Sequence, residues 1–76
     1  MDEEAARIQS RLAEGSALAD RLIGMLAEDA TTLVMEAGFV PQSVPASATA
    51  YTLDMRPDRV RFLVDEEGVV LSAWAG

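Results

Sequence analysis

Arg59 and Arg61 stand two residues apart in an alternating run. Arg59, Arg61 and Leu63 fall on one face of an extended strand, and Val60, Phe62 and Val64 on the other. Two guanidinium groups side by side present planar forks of donors that can hold several carbonyl or carboxylate oxygens at once. The work such a pair does is restraint, and the segment within its reach is the one that precedes it. That segment passes from small uncharged residues, Pro45 to Ala50, through Tyr51-Thr52-Leu53 to Asp54-Met55-Arg56-Pro57-Asp58.

Other chemistry is largely excluded by composition. The chain has neither histidine nor cysteine, so no serine or threonine has an evident general base and no zinc site is expected. An enzyme is therefore not expected, and no cofactor or metal either. Asp65-Glu66-Glu67 reads as a solvated hairpin turn, and the four methionines as fillers of core gaps. All six positive charges are arginines and the net charge is −7, which argues against nucleic-acid binding, because phosphate affinity needs a cationic surface. No apolar run is long enough to predict a membrane span. The start, Met1-Asp2-Glu3-Glu4, is acidic where a signal peptide is basic and then apolar; the expectation is cytoplasmic for the chain as written, extracellular if it is a processed form.

The elements that must position the arginines follow from periodicity. Residues 2–13 predict a helix with acids in its first turn, and the stripe Ile8, Leu12, Gly15, Ala19, Leu22, Leu26 is spaced four and three alternately. Gly15-Ser16 is a weak break and Leu22-Ile23-Gly24 a stronger one, so the stripe is either one long helix or two short ones. Residues 26–37 predict the main helix, closed by Gly38. Phe39 to Val44 reads as a strand with Pro41 at an edge or bulge, and 58–65 and 69–74 as a hairpin around Glu66-Glu67-Gly68. The fold class expected is α+β: one main helix packed on a small mixed sheet with a long exposed binding loop, plus an extra N-terminal helix. Residues 1–18 would be a helical extension and 19–76 the domain proper. If the strands at 39–44 and 58–65 are parallel neighbours, the loop is their crossover, and a loop of that kind usually carries the function of so small a domain.

The run from Thr52 to Asp65, Thr-Leu-Asp-Met-Arg-Pro-Asp-Arg-Val-Arg-Phe-Leu-Val-Asp, resembles the loop-and-strand signature of the potato inhibitor I family, which includes eglin and the barley chymotrypsin inhibitor, and of bacterial peptidase inhibitors of similar pattern. Leu22-Ile23-Gly24 and Glu28-Asp29-Ala30 are similar to the family's Leu-Val-Gly and Glu-Glu-Ala. The resemblance covers residues 19–76 and implies a serine protease inhibitor. On it, Ala50, Tyr51, Thr52, Leu53, Asp54, Met55 and Arg56 form the reactive-site loop and Leu53-Asp54 the reactive bond. Leu53 would enter the specificity pocket, while Arg59 and Arg61 brace the loop through Thr52 and Asp54. Leucine there implies a subtilisin-like or chymotrypsin-like partner; the pocket carboxylate of a trypsin-like enzyme would face an apolar side chain. The family's tryptophan is replaced by Ala19, with Trp74 expected to fill that volume, and its helix-capping serine by Leu26. The bacterial Cys-Gly ending reads Ala75-Gly76, so no disulfide tethers the loop. The competing expectation is a non-inhibitory interaction module, a monomer or weak homodimer that pairs through the N-terminal amphipathic stripe.

Overall fold

The computed structural model describes residues 2–47 and 56–76. Two helices, α1 (Glu3–Leu22) and α2 (Ala27–Glu36), precede three strands, β1 (Val40–Pro45), β2 (Arg59–Val64) and β3 (Val70–Ala75). The strands form one sheet in the order β1-β2-β3, with β1 parallel to β2 and β2 antiparallel to β3. Both helices lie on a single face of it, α1 across β3 and β2 and α2 against β1. The expected α+β class with a mixed sheet is what the chain adopts, and the expected boundaries are met to within about one residue, apart from the helix that opens the chain.

There α1 is one unbroken helix. Asp2 caps it, its Oδ1 accepting from the Ala5 N–H at 2.8 Å, and Glu3 pairs with Arg7 at 2.9 Å. Gly15 does not break the helix, because its missing side chain is what packing needs. A Cβ placed there would stand 3.0 Å from the Ala75 Cβ and 3.3 Å from the Phe39 ring, so any larger residue would make Ala75 or Phe39 give way for α1 to approach the sheet this closely. The boundary expected after residue 18 therefore falls inside α1, and Leu18, Ala19 and Leu22 belong to the core together with Ala30, Val34, Phe39, Val60, Phe62 and Val70. From Gly15 to Leu22 the apolar stripe is buried against the chain's own sheet, which removes that half of it from any pairing with a second chain. Ile8, at the other end, remains 39% exposed.

The connection from α1 to α2 runs as an extra strip beside β3. Gly24 N–H donates to Val70 O and Val70 N–H to Met25 O, both at 2.8 Å. This explains how α2 dispenses with a capping side chain. Leu26 makes no side-chain cap, but Ala27 N–H, one of the four donors a helix start leaves open, donates to Gly68 O at 2.7 Å. At the other end Gly38, with φ of 84°, closes α2 in a Schellman motif: Gly38 N–H bonds Met35 O and Phe39 N–H bonds Val34 O, each at 3.0 Å. That turn delivers Phe39 to the core and starts β1. Among the described residues no helix is long and apolar enough to cross a membrane.

Candidate functional site

Alternation along β2 decides what each side of the sheet receives. Val60 and Phe62, fully buried, face the helices. Arg59 and Arg61 therefore face the side that carries no helix among the described residues, and yet they are only 7% and 2% exposed. A surface strand with solvated ion pairs is thus ruled out for them. A guanidinium withdrawn from water this far must exchange its hydration for hydrogen bonds, since an uncompensated buried charge is worth several kcal/mol of destabilisation. None of Arg56, Arg59, Arg61 and Trp74 is without a partner.

One partner of Arg59 is main chain. Its Nε donates to Gly76 O at 2.7 Å while Gly76 N–H donates to Arg59 O at 2.9 Å, a reciprocal pair that fixes both backbone and side chain of Arg59. Arg61 is flanked in register by Gln42 on β1 and Trp74 on β3. Cross-strand neighbours of this kind have Cβ atoms about 5 Å apart, so the indole and the amide are positioned to wall the guanidinium on either side. Val44, on the same face of β1, is buried as well.

One residue in the hairpin produces this grouping. Next to the turn the strands pair as Val64 with Val70, but the register then shifts, and Leu63 pairs with Ser72, Arg61 with Trp74 and Val60 with Ala75. Without that bulge Ala73 would stand beside Arg61. The bulge is what brings Trp74 and Gly76 to the arginines. Asp65 holds the turn itself, Oδ1 accepting from Glu67 N–H and Val69 N–H at 2.9 Å each, so its carboxylate shapes a hairpin.

The expected role of Trp74 as a substitute for the family's core tryptophan is not met. Trp74 is half-buried beside Arg61, on the face opposite the core cluster, and is not part of that cluster. Ala19 is buried in the core, and α1 approaches the sheet closely at Gly15.

Of the expected reactive-site residues, Ala50, Tyr51, Thr52, Leu53, Asp54 and Met55 lie outside the described residues. Arg56 is exposed and opens a turn, its carbonyl accepting from Arg59 N–H at 3.2 Å, and Asp58 O accepts from Val40 N–H at 2.8 Å. The parallel pairing of β1 with β2 sets Pro45 and Arg59 at opposite ends of the sheet, about 17 Å apart along the strands. Sequence reasoning did not find Gly76, Gln42 or Val44. The alternation of β3 was available as a signal, but it assigns the wrong face unless the bulge is known.

No protein-family model matches the chain, and no curated protein sequence matches it. Solved structures do. The crystal structure of bitter gourd trypsin inhibitor superposes with a TM-score of 0.64 at 25% identity, over 74% of this chain and 85% of that one. The structure of the elastase inhibitor AFUEI superposes with a TM-score of 0.62 over 88% of this chain and 97% of that one, and at 13% identity it speaks for the fold alone. Both neighbours are protease inhibitors, and this chain shares their fold.

Proposed function

We propose that this protein is a serine protease inhibitor of the potato inhibitor I kind. It offers Ala50 to Arg56 as a substrate-like loop to a subtilisin-like or chymotrypsin-like enzyme, with Leu53 in the specificity pocket and Leu53-Asp54 as the reactive bond. The observation that carries this reading is the burial of Arg59 and Arg61, three and five residues beyond that loop, on the sheet face opposite α1 and α2. A strand that served only to close a hairpin has no use for two buried guanidinium groups there. The similarity to a trypsin inhibitor's fold points the same way.

The mechanism is restraint. Fixing a residue's backbone costs about 1–2 kcal/mol, so a loop of some ten residues that is ordered beforehand avoids a loss of order 10 kcal/mol on docking. In the reaction the enzyme's serine attacks the Leu53 carbonyl, the Leu53-Asp54 bond breaks, and Asp54 is left with a free amine. Where arginine contacts hold that amine beside the acyl-enzyme carbonyl, re-formation of the peptide competes with water, because the two ends react at high effective concentration. The same sequence in a slack loop is a substrate.

Titration against subtilisin and chymotrypsin tests the reading. Tight inhibition with a single slow nick after Leu53 is expected; rapid digestion at several bonds, or no inhibition, overturns it. Leu53→Arg is expected to move potency from chymotrypsin to trypsin by at least about a hundredfold, because the pocket carboxylate then gains its ion-pair partner.

A further inference from the structure

Among the described residues, the first half of α1 leaves Ile8 39% exposed, while Leu12 is half-buried. The helix meets the sheet at Gly15, over Ala75, Phe39 and Val60, and from there toward its N-terminus it runs past the end of the sheet where β1 and β2 begin. Glu3 to Leu12 covers about 15 Å. Arg56 to Asp58 lies at the same end, since Arg59 pairs with Val40 there. Arg7, Ile8 and Arg11 accordingly form an open hollow together with Pro57, lined by apolar surface.

The projecting helix is held firmly. Arg11 donates to the Gly38 carbonyl, its guanidinium lies 3.7 Å from the centroid of the Phe39 ring, and Glu14 pairs with it at 3.5 Å. Asp2 caps the far end. Arg11 thus ties α1 to Gly38 and Phe39 one turn from Ile8, so docking at Ile8 loses less conformational freedom than docking on a free helix end.

We propose that the first turns of α1, centred on Ile8, are a second contact surface for the protease held on the loop, and that they meet the enzyme beside the part of its cleft that receives the residues after the reactive bond. This rests on the inhibitor reading above, in which Arg56 and Pro57 follow Leu53-Asp54. The occupant is the protease because the hollow is continuous with the segment it grips: Pro57 is one residue beyond the proposed loop and is itself a wall of the hollow. The chemistry is apolar, with Ile8, Pro57 and the aliphatic stem of Arg7 receiving an apolar side chain of the enzyme.

Inhibition constants for the full chain, Ile8→Glu and Ile8→Ala against subtilisin and chymotrypsin test this. Ile8→Glu is expected to weaken inhibition about tenfold or more, through faster dissociation, with the nick still after Leu53. Ile8→Ala, which keeps a strong helix former, is expected to weaken it about threefold at unchanged helicity, so a folding defect of the first variant does not decide the matter. Potency within twofold of wild type for both variants overturns the second contact and leaves the loop reading standing. Dissociation of a dimer by Ile8→Glu in sedimentation velocity, at unchanged potency, overturns it in favour of a second copy of the chain. A wild-type protein that inhibits neither enzyme removes the loop reading, and the second contact with it.

Discussion

The two faces of β2 are buried by opposite means. Val60 and Phe62 are covered by helices and held by apolar contact, while Arg59 and Arg61 lie nearly as deep on the face opposite α1 and α2 and must be held by directed bonds. Burial on the first face is non-directional and grows with area, so it stabilises whatever shape packs well. Burial on the second is stabilising only in the arrangement that satisfies the guanidinium donors, and so it selects one conformation of what lies against it. One strand thus carries the fold on its one side and, on the reading proposed here, the inhibitory geometry on its other.

Substitutions that separate the two faces should therefore separate stability from inhibition. The largest expected effect is on the helix side: Phe62→Ala should lower unfolding free energy by about 3–5 kcal/mol, enough to unfold much of so small a domain, as measured by urea denaturation. Gly15→Val should cost about 2–3 kcal/mol in the same assay, since its side chain would press on Ala75, Phe39 and Val60. The sharper test is on the arginine side. Arg59→Met with Arg61→Met keeps length and apolar stem, so stability should change by no more than about 1.5 kcal/mol, while the inhibited complex should decay at least about tenfold faster as the loop becomes a substrate. Equal potency of that double variant would end the division between the faces. The smallest effect lies far from both: Leu26→Ser supplies the cap that α2 lacks, at a position already extended, and should raise stability by about 0.5–1 kcal/mol without altering inhibition.

Much of this architecture was legible in the chain. The 3.5-residue stripe, Gly38 after the main helix and the two-residue alternation from Arg59 to Val64 lead to the observed helices and strands because local sterics and one-sided burial act over a few neighbouring residues. Gly15 misleads as a breaker: its propensity cost of about 1 kcal/mol is local, whereas the Ala75 contact that justifies it joins residues sixty apart. Trp74 misleads for the same reason. Its face depends on a bulge between Leu63 and Val64, and a one-residue shift in pairing moves every later side chain of a strand to the other side.

The order of side chains along the strand alone settled that Arg59 and Arg61 share a side and that Val60 and Phe62 share the opposite one, since period-two geometry belongs to the extended backbone itself. Which side received the helices, how deep the arginines sank, and that Gly76 would grip Arg59 while Trp74 stood opposite Arg61 were decided by the assembled sheet. Those outcomes depend on register and on contacts between residues far apart in the chain, and no local pattern encodes them.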